Sequence, residues 1–356
     1  MPMSPRENYL RAARFEGPEW IPARVHISPA SWQHLRNEAE AVCARHPLLF
    51  PGFRKGQIDF DRMTFRPHQR AGRPYRDAWG CVWRTTMDGI TGEVVEHPLA
   101  DWSAFESFEP PDSLTSNDHI ETPVWEEVAA RFERRRAAGE LCGGGLPHGH
   151  FFMRLYYLRG FENLMLDIAT GDPRLDALIE MVAAHNAAKV DQWLSLGPDV
   201  LHFPEDLGTQ SASMISPSHF ARYVTPVYHR LMAPARRAGV LVHVHSDGHV
   251  VELADELIAA GADIVNPQDL CNGLDDLRRA FKGRVCIDLD VDRQSVVPFG
   301  SPAEIRELIE QEVRTLGSPA GGLMLTVGIY PPTPPENLEA VCAAFEALQT
   351  DGSGRS

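Results

Sequence analysis

The chain has 356 residues, with 34 basic and 49 acidic side chains and a formal charge of −15. Hydrophobic residues make up 43% of it and charged residues 23%, which excludes wholesale disorder, collagen and an extended coiled coil. The acidic balance argues against non-specific binding to nucleic acid or to an anionic membrane surface. No run approaches the ~20 apolar residues of a membrane span. The opening segment MPMSPRENYLRAARFEG lacks the apolar core of a signal peptide, so a cytoplasmic protein is expected. The six cysteines (Cys43, Cys81, Cys142, Cys271, Cys286, Cys342) form no CxxC pair and read as free, buried thiols.

In chain order, Ser4 is placed to cap a helix running through Arg14, with Pro5 at its first position and Glu7 three residues after the cap. Trp20–Ile27 reads as a strand and Pro29–Arg45 as a helix. Residues 51–112 are rich in Gly, Pro, Arg and aromatics, with β-like runs at Trp79–Thr85 and Gly92–Glu96. They read as an excursion of loops and hairpins, a lid rather than a domain. Helix is predicted over 115–138, a strand near 150–157, and helix over 160–196 broken at Gly171–Pro173. A strand at 199–203 precedes a helix from Ser216 to Ala238. Strands at 240–246, 263–266, 284–289 and 322–326 then alternate with helices at 249–260, 273–281, 302–316 and 335–348. The rhythm predicts an α/β fold, a single (β/α)8 TIM barrel over 1–349 with the N-terminal excursion and a frayed tail at 350–356. Seven strands are clear and the eighth is sought in the excursion. No GxGxxG and no GxxxxGK[ST] occurs, so no nucleotide cofactor is expected.

In such a barrel, functional groups gather at the C-terminal ends of strands. The 240–246 strand ends in His243-Val244-His245-Ser246-Asp247-Gly248, whose period-two spacing puts His243, His245 and Asp247 on one face. Two imidazoles and a carboxylate are ligand types of a mononuclear metal site. The same pattern also reads as a buried histidine, a polar rim residue and an Asp-Gly turn. Glu205 and Asp206 end the 199–203 strand and are candidate ligands, general bases or helix caps. His148 and His150, beside the glycine run 143–145, are candidates for holding an anionic or metal-bound substrate. Asp288, Asp290 and Asp292 alternate along a further strand end, and at least one of the three is expected to point into the barrel mouth. No GxSxG elbow or HExxH helix occurs.

In order along the chain, Pro18-Glu19-Trp20-Ile21-Pro22, Asp77-Ala78-Trp79-Gly80, Leu158-Arg159-Gly160-Phe161-Glu162, Glu205-Asp206-Leu207-Gly208-Thr209-Gln210 and His245-Ser246-Asp247-Gly248 form a recurring series. Asn266-Pro267, Asp292-Arg293-Gln294 and Pro331-Pro332-Thr333-Pro334-Pro335-Glu336-Asn337 complete it. With these segments the chain resembles the uroporphyrinogen decarboxylase superfamily, and is nearer its cobalamin-linked methyltransferases than the haem-pathway decarboxylase. The resemblance implies a (β/α)8 barrel, a small polar or carboxylated substrate, and methyl-transfer or demethylation chemistry. It implies a corrinoid protein as partner and a divalent metal (zinc, iron or manganese). It also brings forward Asp77, Glu205, Asp206 and His245 as catalytic groups. Taken together, the residue patterns and the resemblance give Arg24, His148, His150, Gln210, Asp292 and Tyr330 as expected substrate contacts and His243, His245 and Asp247 as expected metal ligands. Two departures matter. The arginine-rich motif that grips porphyrinogen carboxylates is absent apart from Arg24, which argues against that substrate. Where the methyltransferases carry a His-x-Cys pair and a later Cys, this chain has His245-Ser246-Asp247 and Val327, a harder donor set than thiolate zinc. A cofactor-independent decarboxylase and a corrinoid-binding barrel without turnover are the alternatives. A homodimer is the expected assembly.

Overall fold

The computed structural model describes residues 3–116, 118 and 123–350. Along the chain run α1 (Pro5–Arg14), β1 (Ala23–Ile27), α2 (Pro29–Leu35), α3 (Asn37–Arg45), β2 (Tyr75–Arg76), β3 (Val82–Arg84) and β4 (Glu93–Glu96). Next come α4 (Trp125–Ala137), β5 (Gly143–Gly145), α5 (Phe152–Arg159), α6 (Phe161–Thr170), α7 (Pro173–Ser195) and β6 (Val200–Asp206). They are followed by α8 (Pro217–Tyr223), α9 (Thr225–Arg237), β7 (Leu241–Asp247), α10 (Ala254–Ala260) and β8 (Ile264–Pro267). The series ends with α11 (Leu274–Phe281), β9 (Cys286–Asp290), α12 (Val296–Phe299), α13 (Pro302–Leu316), β10 (Leu323–Ile329) and α14 (Pro335–Thr350). Parallel strands alternating with helices place the chain in the α/β class, with the (β/α)8 barrel fold that the sequence predicts. No helix among the described residues is long and apolar enough to cross a membrane.

The contacts divide the chain into two compact units. One comprises the described residues within Met1–Ala71, Thr86–Thr91 and Asn266–Ser356. In it β1 pairs in parallel with β10, and β10 with β9, with Arg24 opposite Thr326 and Met324 opposite Asp288. Ser4 accepts the Glu7 amide at 3.2 Å, the cap read from the sequence. Ser301 and Glu304 close a reciprocal capping box on α13. The segment expected as one helix from Pro29 to Arg45 is broken at Arg36, whose φ of 48° leaves the helical region.

The other unit comprises Gly72–Thr85 and Gly92–Val265. Its parallel strands run β5–β6–β7, with Gly145 opposite His202, Pro204 opposite His245, and Asp206 opposite Asp247. The excursion strands β2, β3 and β4 pair antiparallel with one another, so among the described residues they add no eighth strand to the parallel set. The apolar run near 150–157, read as a strand, is instead helix α5. Its side chains are buried nearly all round, and a buried helix and a buried strand share that apolar signature. The strand is the glycine run itself. A Cβ on Gly144 would lie 2.3 Å from the Trp193 ring, and one on Gly145 would lie 2.6 Å from the His202 carbonyl oxygen. Only a strand without side chains fits there. The helix expected from 115 starts at Trp125 in the described residues, and the Ser216–Ala238 helix is interrupted at Val224. The expected tail lies outside the described residues beyond Thr350.

Candidate functional site

The C-terminal ends of β5, β6 and β7 bring four polar side chains together. His148 follows β5, Asp206 ends β6, and His245 and Asp247 end β7. The His148 Nε2–H donates to Asp206 Oδ1 at 3.0 Å, and its ring centroid lies 5.9 Å from that of His245. His245 Nε2 is 3.4 Å from Asp247 Oδ1. One donor atom from each of His148, Asp206 and His245 lies within 4.8 Å of the other two. Two nitrogens and one oxygen at that spacing, all partly exposed, form a donor set suited to zinc, iron or manganese. No thiol joins it: Cys43, Cys81, Cys142, Cys286 and Cys342 are buried elsewhere and Cys271 is half-buried in the other unit.

The electrostatics favour charge at this cluster. Burial opposes protonation of His148, but the hydrogen bond to Asp206 and the charges of Asp206, Glu205 and Asp247 raise its pKa. Burial likewise opposes ionisation of Asp206, and the bond from His148 outweighs it, holding that carboxyl below its usual range. The loops carrying these groups are locked together. Gly248 sits at φ +81° with its Cα so close to Gly208 that a Cβ would fall 2.2 Å from the Gly208 carbonyl oxygen. The Leu207 amide donates to Ser246 Oγ at 2.9 Å, and the His249 amide to the Thr209 carbonyl at 2.7 Å.

The structure thus regroups the residues predicted from sequence. His245 and Asp247 meet as expected, but the set is completed by His148 and Asp206 from neighbouring strands rather than by His243 from the same strand. His243 is buried, its ring 4.6 Å from that of His202, its partner in register. Glu205 is fully buried and accepts the amides of Phe151, Phe152 (3.2 Å) and Met153 (2.9 Å), so it caps α5. Burial raises its pKa to about 7 against those bonds. His150 is buried too; its Nδ1–H donates to the Pro204 carbonyl at 3.1 Å, and burial lowers its pKa to about 3, so the ring is neutral. Gln210 is exposed.

Asp77 is enclosed by the Trp83 indole N–H (2.8 Å), the Cys81 amide (2.9 Å) and Arg154 (3.2 Å), and burial is the main force raising its pKa. In the other unit, Arg24 pairs with the buried Asp288, and Arg293 lies 5.4 Å over the Tyr330 ring. There Asp292 caps α12, accepting the Gln294 amide at 2.9 Å and the Ser295 hydroxyl at 2.8 Å.

A profile described as uroporphyrinogen decarboxylase (URO-D) matches residues 80–348. The chain belongs to the uroporphyrinogen decarboxylase family. Its fold is similar to that of a methyltransferase from Methanosarcina mazei, at 16% identity and TM-score 0.66, covering 98% of this chain and 100% of that one. A B12-independent methionine synthase from Shewanella sp. W3-18-1 aligns at 11% identity and TM-score 0.44, over 65% of this chain and 68% of that one. No curated protein matches the chain.

Sequence reasoning missed Trp125, Lys189 and Trp193, which flank His148. The four-residue spacing of Lys189 and Trp193 on a predicted helix was the available signal.

Proposed function

We propose that this uroporphyrinogen decarboxylase-family protein is a metal-assisted enzyme of the methyl-transfer or demethylation type, acting on a small polar or carboxylated molecule. The observation that carries the reading is the convergence of His148, Asp206 and His245 donor atoms within 4.8 Å at the ends of three neighbouring strands. His148, Asp206 and His245 would hold the metal, and Asp247, 3.4 Å from His245, would orient that imidazole. When bound, a divalent metal supplies Lewis acidity toward a substrate oxygen. Without metal, the proton at His148 Nε2 is held against Asp206, and a metal taking that nitrogen would displace it. Glu205 keeps α5 fixed, so Met153, whose sulfur receives the Asp206 amide at 3.1 Å, backs the Asp206 main chain. A corrinoid protein as methyl donor or acceptor is part of the same proposal.

The test is titration of chelator-treated protein with zinc and manganese, read by calorimetry. Stoichiometric binding is expected, with at least a tenfold loss of affinity in His245→Ala and in Asp206→Asn. Wild-type binding that neither substitution weakens would sink the assignment. Methyl transfer to free corrinoid by the metal-loaded protein, set against carbon dioxide release from porphyrinogen, separates this reading from decarboxylation.

A further inference from the structure

A second feature adjoins His148 in the same unit. A cavity of about 200 Å³ opens beside β5, with Trp125, Leu146, Pro147 and Trp193 among its apolar walls and Asp118, His148 and Lys189 among its polar ones. Its walls are mainly aromatic and aliphatic. The Trp125 and Trp193 rings meet edge to face at 5.1 Å, and Trp125 is fixed by its indole N–H donating to the Leu114 carbonyl at 3.1 Å. Trp193 lies flat on β5 because Gly144 offers it no side chain.

The polar groups are concentrated. Lys189 and Trp193 stand one helical turn apart on α7 and so face the same way. Lys189 donates its ammonium to Asp118, whose carboxyl the hydrogen bond from His185 and the Lys189 charge hold low despite burial. That pair is neutral in sum and offers hydrogen bonds rather than net charge. His148 adds the imidazole already described. A cavity of this size is smaller than the ~300–1,000 Å³ of drug-sized ligand sites and holds one ring, not a tetrapyrrole.

We propose that this cavity binds a small single-ring aromatic compound carrying an oxygen acceptor, with the ring against Trp125 and Trp193 and the oxygen toward His148 and Lys189. The inference deepens the preceding one by naming the substrate class, and it rests on that reading for the chemistry at His148. Sharing His148 would bring the ring's oxygen substituent beside the donor cluster, where Lewis-acid chemistry would be needed.

Benzoate, cyclohexanecarboxylate and acetate serve as probes on the full chain, followed by calorimetry. Benzoate is expected to bind saturably and about fivefold more tightly than cyclohexanecarboxylate, which has the same carboxylate and no π face; this lies within the 0.5–1.5 kcal/mol of aromatic pairing. Trp125→Ala is expected to weaken benzoate by a similar factor. Trp125→Phe, which keeps a ring and guards against misfolding, restores most of it. Equal affinity for the two ring acids, or benzoate binding unchanged in Trp125→Ala, overturns the proposal. The same titration on chelator-treated protein separates the two readings, since the ring site binds benzoate whether or not metal binds. Benzoate binding that vanishes with the metal would refute the ring site and leave the metal site standing.

Discussion

Replacing Glu205 by glutamine changes one atom and removes a buried titration. The carboxyl is fully buried, and burial raises its pKa from an ordinary 4.5 to about 7, although the Met153 and Phe151 amides pull the other way. A carboxyl with a raised folded-state pKa binds its proton more tightly when folded. It therefore adds stability that is complete below the unfolded pKa and disappears as pH climbs through the folded value. The difference of roughly 2.5 units corresponds to about 3 kcal/mol, lost between about pH 4.5 and pH 7. Glu205→Gln has no such slope. At pH 5 the wild type should hold its largest advantage over the variant, because the stabilisation from the buried proton is then still largely present and the glutamine lacks it. By pH 8 the gap should close or reverse. Urea unfolding of both proteins at pH 5 and pH 8 provides the measurement, and most other groups cancel in the difference. His148 titrates above its ordinary value and feels Glu205, so the pair is repeated in a His148→Gln background. A wild-type-minus-variant difference that stays constant from pH 5 to pH 8 would show that Glu205 does not hold its proton in this window.

Gly248→Ala should destabilise the protein by about 2 kcal/mol or more, because φ +81° is strained for alanine and its Cβ would meet the Gly208 carbonyl 2.2 Å away. Thermal melting that matches wild type would contradict that contact. In the other unit, Arg24→Ala takes the guanidinium from Asp288, 1% exposed; with the Arg24 side chain 48% exposed and partly screened, the cost in urea unfolding should be about 1–2 kcal/mol. Arg24→Met/Asp288→Leu should recover most of that loss, since the cost lies in the abandoned charge rather than in the pair. A double variant as unstable as Arg24→Ala would point to packing instead.

The alternation of helix and strand, and with it the fold class, was legible in the sequence because burial imposes periodicity on each segment separately. The Ser4 cap, the break at Gly171–Pro173 and the strands from 200 onward needed only local chemistry. The errors fall where a local pattern has two physical solutions. Phe152–Arg159 is buried nearly all round, its two arginines included, and nothing local distinguishes a buried helix from a buried strand; the amides received by Glu205 decide it from the next strand. Turns favour glycine, and nothing local marks the run at 143–145 as a strand. These glycines form a strand because Trp193, some fifty residues later, occupies the space where side chains would be.

The candidate site divides the same way. The sequence alone determined that His245 and Asp247 share a strand face, because their spacing matches the pleat. It also fixed the residue types ending β6. It could not determine that His148 turns toward Asp206 while His150 turns into the core, since both have the same spacing and the same side chain. Parallel strands are joined across a helix, so the residues that meet at their ends are remote along the chain, and their registers are set by hydrogen bonds between strands. Only the tertiary structure decided which histidines stay partly exposed and which are buried. It placed Glu205 under α5 and Asp77 under Trp83, where the carboxylates receive backbone and indole N–H groups.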